Sequence, residues 1–280
     1  MKTCKALLLA GLVSLFATAA VAQDAPTLND KPLPDYATPA GGLLAEIKTR
    51  GKLINGVEAA TPPYEFIKDG EIVGFDIDLS RKFAESLGVE LEVIDTQWSG
   101  VIPSLYSQKF DLIWSAMPIT PAREKAVTFS PVYATDRPVF LIRADETAIK
   151  SVEDFKGKRL GSQLNSSVAE QSKKLSDEKG LGMDIKLYDA ITSAYLDLQN
   201  GNLDIVTTSG DAFSEVDKAS PGKFKIVYEL PPNLFMAVAT RKQDTDLSAA
   251  VATFIEEMKA NGELDKLSEK WFGTKKALPN

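Results

Sequence analysis

The most chemically informative stretch of the sequence combines a helix start with an arginine. In Thr120-Pro121-Ala122-Arg123, the threonine is suited to cap a helix and the proline to occupy its first position. Arg123 then falls in the first turn, beside backbone N–H groups that have no partner within the helix. A guanidinium at an electropositive helix start offers a forked donor set to a carboxylate. The run therefore predicts an anion anchor, against the commoner alternative of a surface arginine paired with a nearby acid.

A second helix start begins near Ser167. Ser167 and Glu170 have the Ser-x-x-Glu spacing of a capping box, in which the serine and the glutamate each satisfy a free backbone N–H of the first turn. That role is structural. The N-terminus of the same helix would still direct backbone amides toward an anion, so both interpretations stay open for Ser167.

The composition removes whole classes of chemistry. The 280 residues contain no histidine and one cysteine, Cys4. Without histidine there is no Ser-His-Asp or Cys-His nucleophile, no histidine acid or base and no imidazole ligand for zinc. We expect neither a metal site nor another cofactor. The net charge of −7, with no basic tract, also disfavours a nucleic-acid partner.

The N-terminus has the pattern of a secretory signal peptide. Lys2 and Lys5 precede an apolar run over 6–19, and Ala20-Val21-Ala22 provides a cleavage site of small residues. The run is shorter than the roughly 20 residues of a membrane-spanning helix. Removal of residues 1–22 is therefore predicted, with export of the mature protein.

The segment that follows, residues 23–42, contains four prolines and no periodicity, which predicts a flexible arm. From Gly51 onward, strand patterns alternate with amphipathic helical patterns, which predicts mainly parallel sheets flanked by helices. The predicted strands are Lys52–Val57, Glu90–Ile94, Asp111–Ser115, Leu160–Ser162, Ile185–Tyr188, Ile205–Thr208 and Lys225–Tyr228. Helices are predicted at Ile77–Leu87, Gly100–Ser107, Leu247–Lys259 and Glu263–Phe272, with others starting near Ser167, Ile191 and Asp211.

Two long extended segments, Arg137–Arg143 and Leu234–Thr240, separate the strand groups. We interpret the chain as two α/β lobes that these segments join as a hinge, with the C-terminal helices returning to the first lobe. A small ligand would bind in the cleft between the lobes, and a two-segment hinge permits closure around it.

Several motifs follow one another in a fixed order over about residues 50–274. They are Gly74-Phe75-Asp76-Ile77-Asp78-Leu79, Trp98-Ser99-Gly100-Val101-Ile102-Pro103-Ser104-Leu105, Phe110-Asp111-Leu112-Ile113, Ile119-Thr120-Pro121-Ala122-Arg123, Phe129-Ser130-Pro131-Val132-Tyr133 and Lys270-Trp271-Phe272-Gly273. As an ordered set, they resemble the family 3 extracellular solute-binding proteins. These are periplasmic receptors that supply polar amino acids to ABC importers.

The resemblance implies a two-lobe periplasmic-binding-protein fold of type II, with residues 43–137 and 234–280 in lobe 1 and 138–233 in lobe 2. It implies a monomeric receptor, not an enzyme, that captures a small carboxylate ligand in the periplasm. The closed form would then dock on the permease subunits of an ABC transporter in the inner membrane.

The resemblance also implies roles for particular residues. Arg123 of the Thr-x-x-Arg motif would bind the α-carboxylate of the ligand. Ser115 and Ala116, which follow the buried residues Asp111–Trp114, would offer hydroxyl and backbone groups to the ligand. Ser167 would meet the carboxylate from lobe 2. Pro118 stands where a serine is common, which removes one donor.

Three further positions face the ligand in similar proteins. Trp98 would pack against the ligand side chain or belong to the lobe core. Thr61 replaces a common stacking tyrosine, for which Tyr64 either compensates or packs behind. Glu58 would hold a cationic group or lie at a solvated strand end.

The most informative departure from the family pattern is Ser209, which replaces the usual aspartate for the α-ammonium of the ligand. A buried ammonium without a counter-charge costs several kcal/mol. Either Asp211 or Glu58 substitutes, or the ligand lacks a free α-amine. Because some similar proteins are cyclohexadienyl dehydratases, turnover of prephenate or arogenate by carboxylate and arginine groups is the alternative function.

Overall fold

The computed structural model of the protein describes residues 27–29 and 31–279, and the predicted signal peptide lies outside these residues. The strands are β1 Thr27–Leu28, β2 Lys31–Pro32, β3 Lys52–Val57, β4 Ala60–Thr61, β5 Glu65–Lys68, β6 Glu71–Val73, β7 Glu90–Asp95, β8 Leu112–Ile113, β9 Val127–Phe129, β10 Ala134–Asp136, β11 Pro138–Arg143, β12 Arg159–Gln163, β13 Asp184–Tyr188, β14 Ile205–Ser209, β15 Phe224–Glu229, β16 Leu234–Met236 and β17 Ala239–Arg241. The α-helices are α1 Leu43–Arg50, α2 Phe75–Leu87, α3 Val101–Tyr106, α4 Pro121–Ala126, α5 Ser167–Glu178, α6 Ile191–Gln199, α7 Gly210–Ala219, α8 Thr245–Ala260 and α9 Glu263–Phe272.

Two five-stranded sheets form the centres of the two lobes. The sheet of lobe 1 has the order β7-β3-β8-β17-β9, and that of lobe 2 has the order β13-β12-β14-β11-β15. In each sheet the first three strands of this order are parallel to one another. The fourth strand, β17 in lobe 1 and β11 in lobe 2, is antiparallel to both of its neighbours. The predicted two-lobe α/β fold is confirmed.

The crossing segments differ in detail from the prediction. Residues 234–240 do not form one extended run: β16 pairs with β10 between the lobes, with Ala134 opposite Met236, and β17 enters the sheet of lobe 1. The predicted strand Asp111–Ser115 shortens to the two residues of β8, because side chains replace strand pairing at both of its ends. The Asp111 carboxylate accepts the Ile54 N–H, and the Asn55 side-chain oxygen accepts the Trp114 N–H. The lobe boundaries at 137/138 and 233/234 stay predictions.

Aromatic side chains fill the cores on which the sheets rest. In lobe 1, Phe83 of α2 packs against Trp114 and Phe254, at ring-centre distances of 6.2 and 5.2 Å. In lobe 2, Phe140 of β11 packs against Phe155 at 5.4 Å. Each of these five rings is buried, so the strand ends that carry polar groups stand on rigid supports.

The segment before α1 packs on lobe 1. Leu33 is buried, the Tyr36 hydroxyl donates to Asp244 at 2.8 Å, and the Arg241 guanidinium lies 4.2 Å above the Tyr36 ring. The prediction of a flexible arm over 23–42 is wrong for its described part from Leu33 on. Lack of periodicity predicts the absence of long regular elements, but one leucine and one tyrosine are enough to dock a segment.

This docking site contains a buried ion pair that we expect to dominate its stability. Arg241 and Asp244 are 1% and 0% exposed, and the Nε–Oδ2 distance is 2.6 Å. The substitution Asp244→Ala leaves the Arg241 cation buried without its counter-charge, which costs about 3–5 kcal/mol in the free energy of unfolding. Tyr36→Phe removes one hydrogen bond and costs about 1 kcal/mol. Unfolding in guanidinium chloride measures the free energy of unfolding of both variants. An equal decrease in the two variants would contradict the expectation.

Candidate ligand-binding site

A cavity of about 90 Å³ lies between the lobes, where loops after strands of both sheets meet. This volume holds several water molecules or a small solute. Of the eight predicted site residues, seven line it: Glu58, Thr61, Trp98, Ser115, Ala116, Ser167 and Ser209. Tyr64, fully buried, also lines it. The carboxyl ends of parallel strands are where α/β folds bind ligands, and the seven residues meet at such a place. That they bind a ligand stays a prediction.

Arg123 is not among the lining residues of this cavity. Its guanidinium lies on the other side of Trp98, 5.0 Å from the centre of the indole, beside a smaller cavity of about 30 Å³. It donates to the carbonyl oxygens of Pro118 at 2.7 Å and Asn165 at 3.1 Å. Within residues 27–29 and 31–279, no carboxylate oxygen lies within 4.0 Å of it. Burial lowers the pKa of Arg123 to about 10, so it remains a buried cation at neutral pH.

Of the two predicted helix caps, the one of α4 is present and the one of α5 is displaced by one residue. At α4 the predicted cap is confirmed, because the Thr120 hydroxyl accepts the Arg123 N–H at 3.3 Å and Pro121 is the first helical residue. At α5 the capping box is wrong: Ser166, not Ser167, is the cap and accepts the Ala169 N–H at 3.2 Å.

The shift at α5 follows from the turn before it. Asn165 has a φ of 60°, which asparagine tolerates. After this turn Ser166 is the cap, so the helix begins at Ser167, one residue earlier than a cap at Ser167 would require. The N–H groups of Ser167 and Val168 have no acceptor in the described part of the chain, and both residues line the cavity. This helix start is therefore open to an anion.

Glu58 is the carboxylate that faces the cavity. It is 8% exposed, and the Gln163 side-chain amide donates to both of its oxygens, at 2.7 and 2.9 Å. Burial raises the pKa of Glu58, and the bond from Gln163 opposes this effect. Among the described residues, no other acidic side chain lines the cavity.

Of the two candidates for replacing the missing aspartate, Asp211 is engaged elsewhere. Its carboxylate accepts the Tyr64 hydroxyl at 2.8 Å and forms an ion pair with Lys276. Ser209 itself caps α7 through the Ala212 N–H at 3.4 Å. The arrangement therefore leaves Glu58 as the acidic group available to a cation in the cavity.

Sequence reasoning missed four polar residues of the cavity, Gln163, Ser166, Thr207 and Thr208. Gln163 ends β12, Ser166 caps α5 just after it, and Thr207 and Thr208 lie near the end of β14. All four are at the same edge of the sheet as the lobe 2 residues that were found. The rule that polar groups at parallel strand ends form the site, applied to lobe 2, would have found them. Asp204, at the other end of β14, accepts hydrogen bonds from the Arg159 N–H and guanidinium, which lower the pKa of Asp204.

Contacts between the lobes close the cleft over the cavity. Besides the bond between Gln163 and Glu58, the Trp98 indole N–H donates to the Asn165 carbonyl at 3.2 Å. On the hinge side, Lys276 in the segment after α9 reaches Asp211 at the start of α7, and their side chains are only 14% and 15% exposed. The structure is that of a closed two-lobe protein.

The comparisons with known proteins agree with this geometry. The family model for bacterial extracellular solute-binding proteins, family 3, matches residues 53–274. The chain belongs to this family. The L-cystine-binding protein TcyJ of Escherichia coli (strain K12) is 33% identical over 234 residues, covering 83% of this chain and 86% of TcyJ.

Proteins of known structure are similar to this chain in both sequence and fold. An ancestral arginine-binding protein bound to arginine has a TM-score of 0.75 and 37% identity, covering 80% of this chain and 99% of that protein. The ancestral amino acid-binding protein AncCDT-1, a precursor of cyclohexadienyl dehydratase, has a TM-score of 0.72 and 34% identity, covering 82% and 99%. The chain is thus a solute-binding protein with the two-lobe fold of this family.

The described part of the chain has neither a membrane-spanning helix nor a metal-binding cluster. In residues 27–29 and 31–279, no helix has the length and apolar character that crossing a membrane requires. Over the same ranges, no cluster of three or more cysteine, histidine or acidic side chains forms a metal site.

We expect the ion pair between Lys276 and Asp211 to stabilise the closed form. A partly buried pair contributes about 1 kcal/mol, so Lys276→Met should lower the ratio of closed to open molecules about fivefold. Small-angle scattering of the ligand-free protein would measure this as a larger radius of gyration.

Lys275→Met is the matched control, because Lys275 pairs with Asp265 within lobe 1, at 2.9 Å on an exposed surface. It should leave the radius of gyration unchanged. Equal radii of gyration for Lys276→Met and Lys275→Met would contradict the expectation.

Proposed function

We propose that the protein is a periplasmic receptor that closes around a net-neutral amino acid with a polar side chain and delivers it to an ABC importer. The observation that carries the proposal is the charge distribution of the cleft. One acidic side chain, Glu58, faces the cavity, and one buried cation, Arg123, lies beside it. A zwitterion supplies one counter-charge for each.

The carboxylate end of the ligand fits lobe 2. The free N–H groups of Ser167 and Val168 stand at the start of α5, and Arg123 reaches the carbonyl two residues before Ser167. An incoming carboxylate can take the Arg123 guanidinium away from the Asn165 carbonyl, because a charged acceptor binds it more strongly than a neutral one. Ser167 and Arg123 would then act as the sequence predicts.

The ammonium end fits Glu58. With serine at position 209 and Asp211 paired to Lys276, Glu58 is the counter-charge that the cavity offers. A ligand with a second cation, such as arginine, would leave one positive group unpaired, which is costly in a closed cleft.

The remaining lining favours a polar side chain. Thr61, Ser115, Thr207 and Thr208 carry hydroxyl groups at the cavity. The Thr207 hydroxyl has no partner among the described residues, so it is available to a ligand amide or hydroxyl. Trp98 and Ala116 add apolar surface on the side of lobe 1.

The relatives support transport rather than catalysis. TcyJ is named for binding L-cystine and the ancestral protein for binding arginine, and the family is one of solute-binding proteins. We further propose that this receptor is exported by its N-terminal segment, acts as a monomer and docks on permease subunits in the inner membrane. It has no catalytic activity.

A thermal-shift panel tests the ligand class. L-Glutamine carries both charged groups and a polar side chain; glutaramic acid lacks the α-amine, and 4-aminobutanamide lacks the carboxylate. At 100 times its Kd a ligand adds about 2.7 kcal/mol of stability, a shift of roughly 5–10 °C for a chain of this size. We expect this shift with L-glutamine or L-cystine and smaller shifts with L-arginine and with both truncated analogues.

The same panel separates the alternatives. A shift with glutaramic acid equal to that with L-glutamine would show that the amine is not recognised. Conversion of prephenate to phenylpyruvate, or of arogenate to phenylalanine, would replace the receptor by a dehydratase. Arg123→Ala should lose every ligand-induced shift.

The role of Glu58 predicts a pH dependence of binding. Because burial raises the pKa of Glu58 in the free protein, a ligand ammonium must displace a proton below that pKa. Affinity should therefore rise with pH through the pKa, by up to tenfold per pH unit, and level off above it. Calorimetric titration of Glu58→Gln should give at least tenfold weaker binding and no such rise.

Glu71→Gln is the control, because it removes a carboxylate from the exposed strand β6 of the same lobe. It should keep both the affinity and the pH dependence. A pH dependence that survives in Glu58→Gln would assign the proton to another group.

A further inference from the structure

Two carboxyl groups lie buried behind the floor of the cavity. Glu65 at the start of β5 is 1% exposed, and Asp76 in the first turn of α2 is 0% exposed. Neither residue lines the cavity. Both reach the turn formed by Ser115 and Ala116, which does.

The bonds to this turn are specific. One Asp76 oxygen, Oδ2, accepts the Ala116 N–H at 2.6 Å and the Tyr133 hydroxyl at 2.7 Å. One Glu65 oxygen, Oε1, accepts the Ser115 hydroxyl at 3.0 Å. Ser115 in turn accepts the Glu58 N–H at 3.0 Å. The acid pair is thus connected to the backbone of the proposed ammonium anchor.

The other two oxygens have no donor. Glu65 Oε2 and Asp76 Oδ1 are buried without a hydrogen-bond partner among the described residues. The two carboxyl groups bond to adjacent residues of one turn and so lie near each other in the core. After burial, the charge of Asp76 is the largest cause that raises the pKa of Glu65. Two buried carboxylates close together cannot both be ionised. A single proton between the orphaned oxygens would satisfy both.

The turn that they hold is strained. Ala116 has a φ of 40°, in the left-handed region that is costly for a residue with a Cβ. An acceptor buried in a fixed position can maintain this conformation, because releasing the Ala116 N–H would leave it buried without a partner.

We propose that Glu65 and Asp76 share one proton and, as a singly charged pair, act as positioning residues that hold the Ser115–Ala116 turn in the shape the ligand requires. Burial raises the pKa of both groups, that of Asp76 to about 7. The titratable groups that face the pair are Glu58, Tyr64 and Tyr133. The proposal rests on the proposed function only where a ligand is used as a probe.

The first test counts the proton. Infrared spectroscopy at neutral pH should show the carbonyl stretch of a buried carboxylic acid in the wild type, and Glu65→Gln should lack it. The glutamine amide can donate to Asp76 and accept from Ser115, so the variant imitates the protonated glutamate and should fold. A wild type without this band, or a band that remains in the variant, would overturn the shared proton.

The second test follows stability against pH. The folded pair keeps a proton that unfolded carboxyl groups have released above their ordinary pKa, so stability falls as pH rises toward the raised pKa of the pair. Relative to Glu65→Gln, the folding equilibrium constant of the wild type should fall up to tenfold per pH unit in this range. Glu85→Gln, an exposed carboxylate on α2, is the control and should keep the wild-type slope. Equal slopes in wild type and Glu65→Gln would contradict the proposal.

The third test measures positioning. In Asp76→Asn the amide oxygen still accepts the Ala116 N–H, whereas Asp76→Ala removes the acceptor. Hydrogen exchange of the Ala116 amide should accelerate at least tenfold in Asp76→Ala and stay within threefold of wild type in Asp76→Asn and Glu65→Gln. Unchanged exchange in Asp76→Ala would exclude a positioning role, and if this variant does not fold, a tenfold acceleration in Asp76→Asn would exclude it too.

Affinity for L-glutamine then separates the two proposals. Glu65→Gln should bind it within threefold of wild type, and Asp76→Ala at least tenfold more weakly. If the wild type does not bind L-glutamine, the proposed ligand class fails while the proton count and the exchange rates still decide the role of the pair. A tenfold loss in a folded Glu65→Gln would show that the charge of Glu65, and not a shared proton, holds the turn.

Discussion

The carbonyl oxygen of Asn165 is the point on which the closed structure depends. It accepts a hydrogen bond from the Trp98 indole and another from the Arg123 guanidinium, both from lobe 1. The left-handed conformation of Asn165 also sets Ser166 as the cap of α5. One residue of lobe 2 therefore joins the contact between the lobes to the orientation of the open helix start. In the proposed function, a carboxylate at that start would compete for Arg123 at the same point where the lobes meet.

The charges of the cleft are separated rather than paired with each other. Glu58 bonds to the neutral Gln163, and Arg123 to neutral carbonyl groups. Each charge therefore keeps most of its capacity for a ligand of opposite sign, at the cost of burying it with only partial compensation. The polar pairs across the interface between the lobes are weak enough to be replaced, as a receptor that must also release its ligand requires.

Much of this site could be predicted because it rests on local chemistry. The cap at Thr120, the proline after it and the position of Arg123 follow from three adjacent residues. The position of Glu58 after β3 and of Ser115 after β8 follows from strand patterns. Two serines in sequence, however, compete for one cap, and the choice of Ser166 depends on a turn that no periodicity reports.

Other features required the tertiary structure. Glu65 and Asp76 are 11 positions apart in the sequence, in a hairpin and a helix, and a carboxylate in either element is usually solvated. Only the packing of β5 and α2 behind the Ser115–Ala116 turn brings them together. The docking of Tyr36 on Arg241 likewise joins residues about 200 positions apart, for which the sequence contains no local signal.

The position of Trp98 gives the protein an optical property. Of the three tryptophans in the sequence, Trp114 is enclosed in the core of lobe 1 and Trp271 donates to Asp78 on the same lobe. Trp98 lines the cavity and touches lobe 2. When the cleft opens, its indole exchanges a carbonyl oxygen for water, while the surroundings of the other two stay the same. The intrinsic fluorescence of the unlabelled chain therefore reports the opening of the cleft through one residue, over a constant background from the other two.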